Sequence, residues 1–287
     1  MQKTMTNEEL VAALEFTGRQ TGFLQTLIEK DYYCSLVLGY LYQTKTPLIF
    51  KGGTCLNKIH FGFYRLSEDL DFSIPIESKA TRKTRQTLIK PLKTIFEKIE
   101  KDVPSISIMG PLQGQNECRQ YNGVLQYQSV ITGELSQIKV EIGLREPLLQ
   151  APAQSGAKTI LQNPFKMTAA LPDISVLCLN LEEALAEKVR AAISRKEPAI
   201  RDYFDVHFAN KQGLLNTESE TLKKLIQAKL TVVDLPLQIP DNLENILAEQ
   251  IETRLKPVLR QKDFEAFQLD KAIALVKKLA SIIRLPD

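Results

Sequence analysis

Apolar residues recur at helical spacing over 7–16 and again over 23–42, where Phe23, Leu24, Leu27, Ile28, Tyr32, Leu36 and Tyr40 form one stripe, so the chain opens with two helices. The polar stretch 43–46 and Pro47 end the second. A short apolar run over 47–51 stops at Gly52-Gly53-Thr54, after which Cys55, Leu56, Ile59 and His60 resume a helical pattern, which is the signature of strand, tight glycine turn and helix. Residues 65–74 alternate as a second strand. A basic amphipathic helix follows over 79–101, broken or begun afresh near Pro91. Strand-like alternation returns at 105–109, 124–131 and 137–144, the last two joined through Thr132-Gly133-Glu134 as a hairpin. A loop rich in Pro, Gln and Gly over 147–164 leads to an extended run at 174–179. From Leu181 onward the spacing is helical: 182–195, 200–210, 218–229, 243–259 and 270–283. The pattern predicts an α+β protein in which a mixed sheet of four or five strands flanked by helices occupies 1–179 and a helical domain occupies 180–287.

Composition narrows the class without naming a function. A chain of 287 residues, 44% hydrophobic and 25% charged, with 13 glycines and 14 prolines, buries a full core and leaves no room for collagen or long low-complexity linkers. Lysine plus arginine (37) against aspartate plus glutamate (34) gives +3, too little to argue for nucleic acid on its own. No apolar run approaches ~18 residues and the start, MQKTMTNEEL, lacks the apolar core of a signal peptide, so no membrane association and a cytoplasmic location are expected. Cys34, Cys55, Cys118 and Cys178 lie far apart, with no CxxC pair and no histidine near a second ligand. They read as buried thiols of a reducing compartment rather than as zinc ligands.

Candidate chemistry begins with three places, the glycine turn, an aspartate pair and a later glutamate, and continues in the helical half. Lys51-Gly52-Gly53-Thr54 opens a helix directly from a strand, and its glycines let backbone amides approach a phosphate closely, although such a pair also serves as a plain tight turn. Asp69 and Asp71, two apart in an expected strand, project from one face, where two carboxylates repel unless they share a cation. Hard oxygen ligands suit magnesium; a charged edge strand is the plainer reading. Glu141 alternates with Val140 and Ile142 and completes an acidic triad if its strand pairs beside that of Asp71. Further on, Leu181, Leu185, Lys188, Ala192 and Arg195 fall on one helical stripe, so the Lys188 amine must either snorkel to solvent or meet an anion. Arg201-Asp202-Tyr203-Phe204-Asp205 opens the next helix, where an acidic first turn also suits the helix dipole. Tyr32, Tyr33, His60 and His207 read as packing residues. The run Lys79, Arg82, Lys83, Arg85, Lys90, Lys93 reads as a solvated helix face or an RNA-binding surface.

The order strand, GGT, helix, strand with DxD, later strand with Glu resembles the nucleotidyltransferase superfamily of DNA polymerase β. More closely, FKGGTCLNK and RLSEDLDFSI, with EKDYY before them and a KxxA…RDxxD element after them, resemble the AbiEii/AbiGii toxin family over roughly residues 29–208. The resemblance implies a nucleotidyltransferase-type fold and Mg²⁺-dependent transfer from a nucleoside triphosphate, as in toxins of bacterial toxin-antitoxin and phage-defence systems. It implies Asp69 and Asp71 as ligands of two Mg²⁺ ions, for which Mn²⁺ substitutes, with Glu141 either ligating the second metal or taking the acceptor proton. Lys51, Gly52, Gly53, Thr54, Lys188 and Arg195 become nucleotide contacts, and Asp202 and Asp205 border the nucleotide, Asp202 being favoured over Asp205 as the essential one without that being settled. RNA, such as a tRNA 3′ end, becomes the acceptor, the helical domain closes over the site, and a cognate antitoxin becomes a possible partner. A kinase using the same site, or a catalytically silent nucleotide-binding module, are the alternatives.

Overall fold

The computed structural model describes residues 5–43, 47–232, 237 and 239–283. The chain forms two compact units, Met1–Arg145 with Pro152–Cys178, and Glu146–Ala151 with Leu179–Asp287.

In the first unit, Thr6 caps α1 (Asn7–Thr21) through a reciprocal exchange in which its hydroxyl accepts from the Glu9 N–H and the Glu9 carboxylate accepts from the Thr6 N–H. α2 (Gln25–Gln43) is buried along most of its length; of its expected 43–46 stop, residues 44–46 lie outside the described residues. β1 (Ile49–Lys51) runs into α3 (Gly52–Cys55), which continues as a π-helical turn over Leu56–His60. β2 is shorter than the alternation suggested, covering only Leu70–Ser73. Residues 65–69 are not strand because Arg65 is buried beneath the glycine turn and its guanidinium donates to the Leu66 carbonyl at 3.2 Å. α4 (Arg82–Glu97) runs unbroken through Pro91, and the expected interruption comes only before α5 (Ile99–Asp102). Burial of Ile89, Leu92 and Phe96 outweighs the lost backbone bond at the proline.

β3 (Ser107–Gln115), β4 (Gln120–Gln128) and β5 (Leu135–Gly143) form two successive antiparallel hairpins. The expected strands at 105–109 and 124–131 are therefore corrected. Gly110, Pro111 and Gly114 hide β3 in the sequence, and register shifts beside Gly110 absorb the irregularity. β6 (Ala153–Ala157) and β7 (Gln162–Asn163) replace the expected 147–164 loop, β8 (Thr168–Ala169) pairs with β7, and β9 (Ile174–Cys178) closes the unit. Instead of four or five strands, the sheet has seven among the described residues, in the order β3-β4-β5-β2-β1-β9-β6. β2 lies parallel to β5 and β1 parallel to β9, while the other pairs are antiparallel. One sheet face is covered by helices: Tyr33 of α2 stacks on Tyr127 of β4 at 3.8 Å, and a Cβ at Gly123 would come within 2.7 Å of Phe96 in α4. Burial and the Glu29 charge push the Tyr33 phenol up to about 12, as suits a core residue.

The second unit is helical: α6 (Leu181–Ser194), α7 (Ile200–Lys211), α8 (Glu220–Val232), α9 (Leu243–Gln250), α10 (Gln261–Glu265) and α11 (Leu269–Ile282). The single helix expected over 243–259 changes winding after α9, first to a π turn at Ile251–Leu255 and then to a 3₁₀ turn at Lys256–Val258, where Pro257 has no N–H to continue the ladder. Buried Lys229 of α8 gathers three carboxylates, Glu183 at 2.7 Å, Glu187 at 3.2 Å and Glu146 at 3.4 Å. Burial alone pulls its ammonium down, but the three glutamates together leave it above the ordinary lysine range. The Glu183 carboxylate also accepts from the N–H groups of Leu149 and Gln150, which ties 146–151 to α6. Among the described residues no helix is long and apolar enough to cross a membrane.

Candidate active site

Sheet register builds the acidic site in the first unit. Asp71 on β2 is the direct partner of Glu141 on parallel β5 and, on its other side, of Lys51 on antiparallel β1. Glu141 in turn faces Asn122 of β4. Asn122, Glu141, Asp71 and Lys51 thus form one half-buried row across four strands, while their neighbours Leu70, Phe72, Val140, Ile142 and Phe50 are buried in the core. Carboxylates at directly paired positions repel one another. Lys51 at one end of the row, and Arg145 at 3.7 Å from Glu141, temper that charge without removing it. Asp69 stands one residue ahead of β2 rather than within it, so the two aspartates share a short segment but not a common strand.

The glycine turn is fitted to this row. Gly52 has φ +75°, and a Cβ there would collide with the Asp71 side chain, reaching its Cγ at 2.8 Å. Only glycine satisfies both the backbone conformation and the approach of the carboxylate. At Gly53 a Cβ would come within 2.5 Å of the Arg65 guanidinium and 3.1 Å of the Ser67 hydroxyl. Thr54 is fully buried and its hydroxyl donates to the Asp69 carbonyl, tying the turn to the acidic segment. The hydroxyl expected to contact a phosphate is thus also the one that positions Asp69. Behind the turn, Lys58 of the π segment is buried and pairs with Asp31 of α2 at 2.6 Å, donating also to Ser35 Oγ at 2.8 Å. Asp31 further accepts from the Ile160 N–H at 3.1 Å. The Lys58 and Asp31 pairing escaped sequence reading because a buried ion pair leaves no periodic trace; lysine at position 58 merely interrupts an apolar pattern.

In the second unit, Lys188 meets an anion within its own unit, through Asp202 at 3.0 Å and Asp205 at 2.9 Å. Both aspartates, on the first turns of α7, are buried. Lys188 thus bridges the two carboxylates. Arg195 lies past the end of α6 in extended conformation, not on its stripe, and its guanidinium sits 3.2 Å from the second Asp202 oxygen. Arg201 donates to the Arg254 carbonyl at 2.9 Å. Arg85 leaves the basic run proposed for RNA, since it is buried and donates to the Leu144 and Ser78 carbonyls at 3.1 and 3.2 Å.

The chain resembles two solved structures from Helicobacter pylori. JHP933 shares 16% identity and a TM-score of 0.54 over 91% of this chain and 93% of that one, a likeness of fold. A putative nucleotidyltransferase shares 16% identity and a TM-score of 0.49 over 96% and 92%. No curated protein matches the chain. A family model described as "Nucleotidyl transferase AbiEii toxin, Type IV TA system" matches residues 40–275, which include every candidate site residue named above. With its glycine turn, paired carboxylates and Lys188 trio inside that match, the chain belongs to the AbiEii nucleotidyl transferase toxin family of type IV toxin-antitoxin systems.

Proposed function

We propose that the protein is a Mg²⁺-dependent nucleotidyltransferase toxin that moves a nucleotide from a nucleoside triphosphate to RNA, a tRNA 3′ end being the favoured acceptor. The observation that supports this reading most is the register pairing of Asp71 with Glu141 beside Gly52, which sets two mutually repelling carboxylates next to a turn that admits no side chain. Hard carboxylate oxygens so placed suit a divalent cation, and Asp71, Glu141 and Asp69 are the residues that would hold Mg²⁺ or Mn²⁺. When bound, the metal supplies neutralising charge at the triphosphate and polarisation at phosphorus. The amides of Gly52 and Gly53 receive phosphate oxygens, and Lys51 adds positive charge in the same row. Glu141, half-buried beside Asp71, would either ligate the second metal ion or take the acceptor hydroxyl proton. Asp202 and Asp205 hold the Lys188 ammonium, and variants of this trio test whether it shares in nucleotide binding.

The test is incubation with Mg²⁺, total cellular RNA and each α-³²P-labelled nucleoside triphosphate, with Asp71→Asn in parallel. Label on RNA with the unaltered protein alone supports the reading and names both the base and the acceptor. Transfer of γ-label to any acceptor replaces it with a kinase, and equal labelling by Asp71→Asn removes the metal assignment. A cognate antitoxin that suppresses the labelling completes the system.

A further inference from the structure

Two of the four cysteines, distant in sequence, converge with a histidine in the first unit. Cys55 ends α3, His60 ends the π turn that follows, and Cys178 ends β9. Their ligand atoms, Sγ, imidazole nitrogen and Sγ, all lie within 4.8 Å of one another. Backbone winding explains the first pair. At α-helical winding, residues five apart differ by about 140° around the axis and face away from each other. The π turn, in which the Phe61 N–H reaches the Leu56 carbonyl at 2.7 Å, widens the coil and returns His60 to the side of Cys55. Such turns are rare and favour functional sites. Cys178 arrives through the sheet, where parallel pairing of β9 with β1 sets Cys178 opposite Phe50, just before the glycine turn.

From this geometry we propose that Cys55, His60 and Cys178 form a binding site for a soft or borderline divalent cation, zinc by its chemistry, with ligands distinct from those of the acidic row. Two thiolates and one imidazole are the ligand set of zinc with a fourth position left to water. Binding releases the two thiol protons to solvent and forms two metal–sulfur bonds and one metal–nitrogen bond, with no change of oxidation state. Both cysteines are buried and His60 is half-buried, so the thiols are shielded while the imidazole marks the route of entry. A metal there joins the end of β9 to the helix that begins at Gly52.

The experiment uses the full reduced chain and needs no enzymatic readout. Titration with Co²⁺ as a spectroscopic probe is expected to give a thiolate-to-metal charge-transfer band saturating at one equivalent and displaced by Zn²⁺. Cys178→Ser and His60→Ala are expected to weaken binding by more than about 100-fold, whereas Cys118→Ser leaves it unchanged. No charge-transfer band in the reduced wild-type chain overturns the site, as does a band that survives in Cys178→Ser. Because the first result is read on the unaltered protein, misfolding of a variant does not shelter the proposal.

Discussion

At the residue scale, single atoms decide the behaviour of the acidic site. Gly52→Ala places a methyl group into the Asp71 carboxylate and forces a β-carbon to φ +75°. We expect it to abolish RNA labelling and to lower the unfolding free energy by roughly 1–3 kcal/mol, read by urea denaturation. Asp71→Asn keeps the shape of the side chain but removes half of a repelling pair. It should therefore leave thermal stability without Mg²⁺ equal to or above that of the unaltered protein, while reducing transfer by at least about 100-fold. Loss of both folding and activity in Asp71→Asn would instead mark Asp71 as a structural residue. Asp71 and Thr54 were legible from the sequence, since alternation with Leu70 and Phe72 fixed the face of the first and the glycine pair marked the second. The Thr54 bond to the Asp69 carbonyl was not, because a hydroxyl's partner across fourteen intervening residues is set by how the turn packs.

At the element scale, buried lysines act as pins. Lys58→Met leaves the Asp31 carboxylate buried without its cation and is expected to cost about 3–5 kcal/mol, measured by denaturant unfolding; Lys58→Met with Asp31→Leu should recover a large part of it. Lys188→Met withdraws the ammonium that two buried aspartates share, with Arg195 still beside Asp202, and addition of Asp202→Asn should restore stability in part. Activity that returns with stability would assign the trio a structural role; activity that stays absent would place the trio in nucleotide binding. Amphipathic periodicity located α6 and α7 to within a few residues because helical stripes are written in local sequence. Strand boundaries were less legible. β3 and β6 carry glycine, glutamine and alanine where alternation expects branched apolar residues, and the neighbouring strands hold them in place.

For the whole molecule, ligand linkage and pH provide independent checks. Millimolar Mg²⁺ with a nucleoside triphosphate should raise the thermal midpoint of the unaltered protein in a concentration-dependent manner and leave Asp71→Asn unmoved. EDTA should abolish labelling without altering the circular dichroism spectrum of the fold. His207 of α7 packs edge-on against Phe267 at 5.8 Å, and burial, then Lys211 and Lys271, hold its imidazole below the ordinary histidine range. A depressed pKa means that the unfolded chain binds the proton more tightly. The corresponding stability is present above about pH 6.5 and is lost as pH falls through the folded value. His207→Phe should flatten this acid limb in a series of thermal midpoints. A limb unchanged by the substitution would assign it to other groups.

The sequence by itself determined what is local: which segments alternate or wind, that a glycine pair separates a strand from a helix, and that Asp71 and Glu141 each share a strand with core residues. Those features follow from steric preferences and hydrophobic period over a few residues. Tertiary structure alone decided which strands became neighbours. Parallel pairing of β2 with β5 set Glu141 beside Asp71, and parallel pairing of β1 with β9 drew Cys178 to Cys55. It likewise gave Lys188 two carboxylates and buried Arg65 under the turn. Strand order and ion-pair choice depend on the free energy of burying whole surfaces against one another. No window of sequence contains that quantity.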